Sequence, residues 1–236
     1  MDESKVKRQP SPGEILWNTV KAQVRDEINA KKISFPDYKD FFLSLESESD
    51  RALPIVILSY IDEKMKELMG AALNPEFLKG DNDVFKAFAA LNTVHSKLNM
   101  AAALFWLRKK TYEDLDMIRR IRNKFGHSTT AGCYDSEPIR QRINCMMPIE
   151  EILWKHEGRL ESDLKRVSTR TVFHCRAAMT TANVLIELVC APVGIQRGVG
   201  PLAGLGDGWD TAPEIVKVLN EEAATLIIQL LKNNIT

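Results

Sequence analysis

The sequence has no surplus of charge of either sign, because its 32 lysine and arginine residues are balanced by 32 aspartate and glutamate residues. A protein that binds DNA non-specifically usually carries an overall basic balance. The sequence also lacks any run of the roughly 20 apolar residues that a membrane-spanning helix needs. Its longest apolar runs, at 55–58 and 101–107, are short. We therefore expect a cytoplasmic protein that neither spans a membrane nor binds DNA through bulk charge.

Cysteine is also scarce, and the four cysteines are widely spaced without a CxxC pair, at Cys133, Cys145, Cys175 and Cys190. A chain of this size needs no covalent staples, so reduced thiols are expected. We expect no cofactor and no metal. One alternative stays open, a zinc site drawn from thiols and imidazoles without finger-like spacing, at Cys133, Cys145, His156, His174 and Cys175.

No segment shows the strict polar–apolar alternation and hairpin turns that strands require. Apolar residues instead recur every three or four positions, which predicts helices. The predicted helices cover 12–32, a short segment around 41–45, 51–73, 84–91, 92–110, 111–125, 161–188 and 212–233, with short pieces at 137–142 and 149–156. The expected fold class is all-α, a bundle of about six to eight helices.

The domain organisation follows from length and composition. Residues 1–13 lack the apolar core of a secretory signal, so we expect a disordered lead-in there. Residues 14–236 have the length of a single helical domain. Within it, residues 191–210 are rich in glycine but follow no strand and lack the lysine and hydroxyl of a phosphate-binding loop, which predicts a plain loop. The four tryptophans, Trp17, Trp106, Trp154 and Trp209, are expected to be core or interface anchors.

The predicted helix 111–125 organises the rest of the chain. Thr111 is followed by acidic residues, which suits a helix N-terminus. Gly126 is expected to end the helix in the left-handed conformation, with His127 directly after it. One face of the helix is mostly apolar and carries a single cation, in the set Leu115, Ile118, Ile121, Arg122 and Phe125.

Arg122 requires an explanation, because an arginine on an apolar face is costly to bury without a partner. In the structural hypothesis it pairs with one of three carboxylates, those of Asp62, Asp114 and Asp116, while Asn123 and His127 bond the neighbouring loop. In the catalytic hypothesis Arg122 neutralises a phosphorane. His127 then takes the 2′-hydroxyl proton or protonates the leaving oxygen, so that RNA is cut without a metal.

Basic residues cluster around Arg122, at Arg119, Arg120 and Lys124, and could contact nucleic acid. Asp116 lies three residues before Arg119 and four before Arg120, which predicts a solvated salt-bridge face instead. The sequence contains no helix-turn-helix with a recognition helix. The residues expected at a binding or interface surface are Arg119, Asn123, Lys124 and Phe125.

Three segments together resemble the mannitol operon repressor family: LPIVILSYIDEKMKELMGAAL, FKAFAALNTVHSKLNMAAALFWL and YEDLDMIRRIRNKFGHS. The segments 101–104 and 118–127 stand where that family carries an "LAxALG"-like stretch and an "IRxIRNxFAH" signature. RTVFHCRAAMTTANVLIEL is similar to its later helix. The resemblance covers about residues 50–190 and implies an all-helical transcriptional regulator that acts through partner proteins. The chain departs from the family in residues 1–49 and in the glycine-rich insertion with the final helix.

The RNxxxH end of this signature is also similar to that of HEPN domains. These are all-α modules that often pair so that two Arg/His sets face one cleft, and many are metal-independent ribonucleases of the toxin type. That resemblance implies catalytic roles for Arg122 and His127, with Asn123 supporting them. The expected function is a non-enzymatic regulator, a homodimer or bound to a partner protein. The alternative is a ribonuclease acting on RNA.

Overall fold

In the computed structural model, the described residues are 10–30, 35–73, 92–127, 133–149, 166–196 and 212–234. These residues form α-helices and one 3₁₀ turn, and none of them lies in a strand. The helices are α1 (Pro12–Ala30), α2 (Asp37–Ser44), α3 (Ala52–Ala72), α4 (Val94–Ala103), α5 (Lys109–His127), α6 (Glu137–Cys145), α7 (Thr169–Gln196) and α8 (Glu214–Asn234). The predicted fold class, an all-α bundle, is therefore confirmed.

Helix α7 lies at the centre of the bundle, and every residue from 173 to 191 is buried. By length and composition, its stretch Thr169–Val193 could cross a membrane, but 94% of its most apolar window is buried inside the protein. Such burial is typical of a core helix. Helices α3, α5 and α8 pack against α7, and buried residues of all eight described helices join one hydrophobic core.

Side-chain contacts fix the direction of α5 relative to its neighbours. Near its start, Thr111 contacts Glu187 close to the far end of α7. At its other end, the carbonyl of Gly126 accepts a hydrogen bond from Arg51, which precedes α3. The start of α7 is tied to the same end of the bundle, because Arg170 pairs with Asp50 at 3.1 Å. Helix α5 therefore runs antiparallel to both α3 and α7.

Helix α2 packs on α7 through aromatic side chains. The hydroxyl of Tyr38 donates a hydrogen bond of 2.8 Å to the carbonyl of Ala178, and the ring of Phe42 lies 5.8 Å from the ring of His174. Burial, and to a smaller extent the nearby Arg170 cation, lower the pKa of His174 to about 4, although a hydrogen bond with the Phe42 backbone acts in the opposite direction. His174 is therefore a neutral core residue at pH 7.

Apolar residues at positions 15, 16, 20, 24 and 28 form a stripe at helical spacing along α1, but only the second half of this stripe is buried. Val24 and Ile28 lie in the core, whereas Ile15 and Leu16 are 54% and 67% exposed. Trp17 is also exposed and carries the ammonium of Lys21 over its ring at 5.2 Å. Residues 12–19 are all exposed to solvent, so the first half of this stripe does not reach the core.

Several predicted boundaries differ from the structure. Helix α1 begins at Pro12, as the predicted helix 12–32 does, so the last two residues of the predicted lead-in 1–13 are helical; residues 1–9 lie outside the described part of the chain. Helix α7 begins at Thr169 rather than 161 and continues through Pro192 to Gln196, so the first six residues of the predicted loop 191–210 are helical. Residues 197–211 and the predicted helix 84–91 lie outside the described residues, as does the predicted piece 149–156 except for Ile149.

The predicted helix 92–110 is also too long. Helix α4 ends at Ala103, and α5 begins at Lys109 rather than at Thr111. Thr111 is the third residue of α5 and is buried, so it does not cap the helix. An irregular link, residues 104–108, separates the two helices.

Candidate functional site

The candidate site lies on the last two turns of α5. The apolar face of this helix is buried as predicted, with Leu115, Ile118 and Ile121 in the core. Arg122 follows on the edge of that face and is half-buried. Phe125 is only 1% exposed and packs on Tyr134 with ring centroids 4.8 Å apart. The expectation that Phe125 belongs to a contact surface is therefore wrong, because core packing takes up its side chain.

None of the three carboxylates expected to pair with Arg122 does so. Asp62 bonds the ammonium of Lys97, and Asp114 pairs with Lys110 at 2.9 Å. Asp116 pairs with the two arginines predicted from their spacing, Arg119 at 2.6 Å and Arg120 at 2.5 Å. The pairing of Asp116 with Arg119 and Arg120 is thus confirmed, although Asp116 is buried and not on a solvated face. The ion pair expected for Arg122 does not form.

The guanidinium of Arg122 donates one hydrogen bond, of 3.1 Å, to the side-chain oxygen of Asn123. In the part of the chain that the structure describes, no carboxylate lies within ion-pair distance of Arg122. A half-buried guanidinium held by a neutral amide keeps its full charge and most of its donors. The arrangement can therefore bind an oxyanion that approaches the end of α5.

The aspartates of α5 differ in their electrostatic environment. Burial raises the pKa of Asp114 above its usual value, and the hydrogen bonds from Lys110 and the Met147 amide only partly offset this effect. Burial also acts on Asp116, but the hydrogen bonds from Arg119 and Arg120 outweigh it, so the pKa of Asp116 lies below its usual value. Asp116 is thus a carboxylate at neutral pH that screens those two arginines.

The last three turns of α5 still carry more cations than anions. Arg119, Arg120, Arg122 and Lys124 stand against Asp116 alone, a net charge of +3 in a chain of net charge zero. Lys124 is exposed, and Asn123 is half-buried beside Arg122. This concentration of charge is local and is balanced elsewhere in the chain.

The end of α5 differs from the prediction. Gly126 does not stop the helix in the left-handed conformation, because α5 continues to His127 and Gly126 has an ordinary helical backbone. A Cβ atom at Gly126 would meet nothing within 4 Å. His127 is the last described residue of α5, and its side chain lies outside the part of the chain that the structure describes.

The residue that caps the start of α5 was not predicted from the sequence. Glu187 is fully buried in α7 and accepts a hydrogen bond of 2.7 Å from the backbone N–H of Arg108, directly before the helix. It also accepts from the Arg108 side chain at 2.5 Å and from the hydroxyl of Thr111 at 2.7 Å. A carboxylate at a helix N-terminus is stabilised by the free N–H groups and the helix dipole. Glu187 thus fixes α5 against α7.

A second missed residue is Phe105, in the link between α4 and α5. The N–H of Phe105 bonds the carbonyl of Ala102, and the N–H of Trp106 bonds that of Ala101, which is the Schellman pattern of a helix end. Phe105 occupies the left-handed position of this motif, with φ of 56°. Glycine is preferred there. The side chain of Phe105 is nevertheless 74% exposed, and the adjacent Leu104 is 38% exposed.

The possible metal ligands are not brought together. Cys175 and His174 are buried in α7, whereas Cys133 and Cys145 are exposed and His156 lies outside the described residues. Among the described residues, no group of three or more His, Cys, Asp or Glu side chains could hold a metal ion. All four cysteines are free thiols.

Comparisons of the chain with protein-family models, with curated proteins and with solved structures find no match. The resemblances to the mannitol operon repressor family and to HEPN domains therefore stay predictions from the sequence motifs.

Proposed function

We propose that the chain is a non-enzymatic regulatory module of the mannitol-repressor type that acts through protein contacts. A second copy of the chain is the first partner to test. The transcriptional role in this proposal rests on the sequence resemblance alone. The contact itself is supported by Phe105, together with the neighbouring Leu104, a pair that we call the apolar tip.

Phe105 carries the proposal because its position costs stability. A left-handed backbone costs a residue with a side chain about 1–2 kcal/mol, and glycine would avoid that cost. With three quarters of its side chain exposed, Phe105 recovers little of this cost by burial in its own chain. Aromatic side chains, phenylalanine among them, are enriched at protein interfaces. An exposed aromatic ring held in a strained conformation is therefore typical of a contact residue.

The proposal is tested by the mass of the protein in solution. We expect the wild-type protein to be a dimer by light scattering after size-exclusion chromatography, and we expect Phe105→Gly to dissociate more readily on dilution. Phe105→Tyr is the matched control, because it keeps both the ring and the backbone strain and should associate as the wild type does. Equal association of Phe105→Gly and wild type would exclude the apolar tip as the dimer contact.

A metal-independent ribonuclease is the second candidate, and it is favoured by the absence of a carboxylate partner for Arg122 among the described residues. In this reaction His127 takes the proton of a 2′-hydroxyl, and the oxygen attacks the adjacent phosphorus. Arg122 neutralises the charge that develops on the phosphorane oxygens. The bond to the 5′-oxygen then breaks, and that oxygen takes up the proton that His127 removed, which leaves a cyclic phosphate on one fragment and a hydroxyl on the other.

The ribonuclease candidate is tested with labelled RNA in the presence of EDTA. If it holds, the wild-type protein cuts the RNA, and Arg122→Ala and His127→Ala are each slower by at least about 10²-fold. Arg140→Ala is the charge-matched control, because it removes an exposed cation of α6 that is paired with Glu137 of the same helix, away from α5. Cleavage that depends on Arg122 and His127 would overturn the non-enzymatic proposal, whereas RNA left intact by the wild-type protein would exclude the ribonuclease.

A further inference from the structure

Arg51 lies next to the candidate site although it is distant in sequence. It precedes α3, and its side chain is exposed. One guanidinium nitrogen donates a hydrogen bond of 3.3 Å to the carbonyl oxygen of Gly126. Gly126 is four residues beyond Arg122, so it lies on nearly the same side of α5 and about 6 Å further along the axis. The guanidinium of Arg51 is therefore placed about one helical turn beyond the Cα atom of Arg122.

The ion pairs around Arg51 leave its guanidinium available to bind an anion. The carboxylate nearest in sequence, Asp50, pairs with Arg170 at 3.1 Å. Arg170 itself is held by the backbone carbonyls of residues 45, 46 and 48. In the ranges that the structure describes, neither Arg51 nor Arg122 has a carboxylate partner. Two exposed or half-buried guanidinium groups with spare donors therefore lie at one end of the bundle.

We propose that Arg51 and Arg122 together bind one phosphate of a single-stranded RNA backbone. Guanidinium groups match phosphate oxygens with paired, charge-assisted hydrogen bonds. The net charge of +3 on the last turns of α5 attracts a polyanion to this end. The proposal rests on the role of Arg122 in the second candidate function, but it concerns binding and does not require cleavage. It adds a residue from α3 that the α5 motif does not contain.

The competing explanation is that Arg51 serves only as a cap for α5. Basic side chains near a helix C-terminus satisfy free carbonyls and interact favourably with the helix dipole. A cap contributes to stability and not to affinity for RNA. Affinity and thermal stability therefore have to be measured on the same variants.

The experiment uses a labelled single-stranded RNA in which every 2′-hydroxyl is methylated, because such RNA cannot be cut by 2′-hydroxyl attack. Binding is followed by fluorescence anisotropy at several salt concentrations. We expect Arg51→Ala and Arg122→Ala each to weaken binding about tenfold and to reduce the salt dependence. The loss of RNA affinity in the double variant should be clearly smaller than the product of the losses in the two single variants, since both residues hold the same phosphate. Arg25→Ala, which removes from α1 a half-buried cation that pairs with Asp26, should bind as the wild type does.

Each of the other outcomes would overturn the proposal. Arg51→Ala with unchanged affinity and a lower melting temperature would make Arg51 a helix cap only. If the affinity loss of the double variant equals the product of the two single losses, the two arginines make separate contacts and do not form one site. Wild-type protein that does not bind the methylated RNA would exclude the site altogether. Cleavage of unmodified RNA is scored in a separate assay, so a failure of the ribonuclease candidate is not confused with a failure of this site.

Discussion

Glu187→Ala is expected to lower the free energy of unfolding by about 3 kcal/mol, which corresponds to a drop in melting temperature of about 6–12 °C. The substitution removes the acceptor of three hydrogen bonds, from the backbone and side chain of Arg108 and from the hydroxyl of Thr111. It also leaves space in the fully buried environment of residue 187. Arg108 can turn to solvent, because its side chain is 48% exposed, but Thr111 cannot.

Glu113→Ala is the matched control for this prediction. Its carboxylate also lies near the start of α5, but it is 46% exposed and 3.8 Å from the ammonium of Lys109. An exposed pair of this kind is worth at most about 1 kcal/mol. Denaturant unfolding of both variants measures the difference. A Glu187→Ala protein as stable as Glu113→Ala would show that Glu187 does not fix α5 against α7.

His174 is expected to make the protein sensitive to mild acid. Its pKa is about 4 in the folded protein and 6.5 when unfolded, so between these values the unfolded chain binds more protons. Stability from the neutral imidazole is therefore fully present above pH 6.5 and is lost as the pH falls toward 4. The expected loss by pH 4 is about 3 kcal/mol.

The prediction is checked by chemical unfolding at a series of pH values for wild type and His174→Gln. The variant should lose most of the pH dependence between 6.5 and 4, because glutamine does not titrate. Exposed His95 provides the control, and His95→Gln should follow the wild-type curve. Asp114 acts in the opposite direction to His174, because its raised pKa favours the folded state as the pH falls. This contribution is common to wild type and His174→Gln and cancels in the difference between their two curves. Identical curves for wild type and His174→Gln would contradict the prediction.

Helices with a strong apolar period could be predicted closely from the sequence. Helix α3 was expected at 51–73 and spans 52–72, and α8 was expected at 212–233 and spans 214–234. Their periodic apolar residues are buried against neighbours, so periodicity and tertiary packing agree. The stripe of α1 shows the limit of this reasoning. Periodicity identifies the face that could be buried, but the extent of the neighbouring helices decides that only Val24 and Ile28 are covered.

The break between α4 and α5 could not be predicted, because no glycine or proline marks it. The residues Leu104 and Phe105 have side chains that suit a continuous helix, yet the chain turns there with Phe105 in the left-handed region. Gly126 is the converse case. It has the residue type of a helix end, but glycine also accepts helical backbone angles, and the helix continues through it.

The side-chain contacts of the candidate site could be predicted where both partners lie on α5, but not where the partners lie on different helices. The pairing of Asp116 with Arg119 and Arg120 follows from spacings of three and four residues on one helix. The partner of Asp62 comes from α4, and Arg51 reaches the end of α5 from another helix. Such contacts depend on how helices pack, and residue spacing within one helix carries no information about them.

The central claim, that the chain acts through contacts made by the apolar tip, is tested most directly by comparing stability and self-association in Phe105→Gly. The account predicts opposite changes, with the free energy of unfolding of the monomer higher by about 1 kcal/mol, as backbone strain is relieved, and the dimer dissociation constant clearly larger. A Phe105→Gly protein that gains stability and associates as tightly as the wild type would contradict the account.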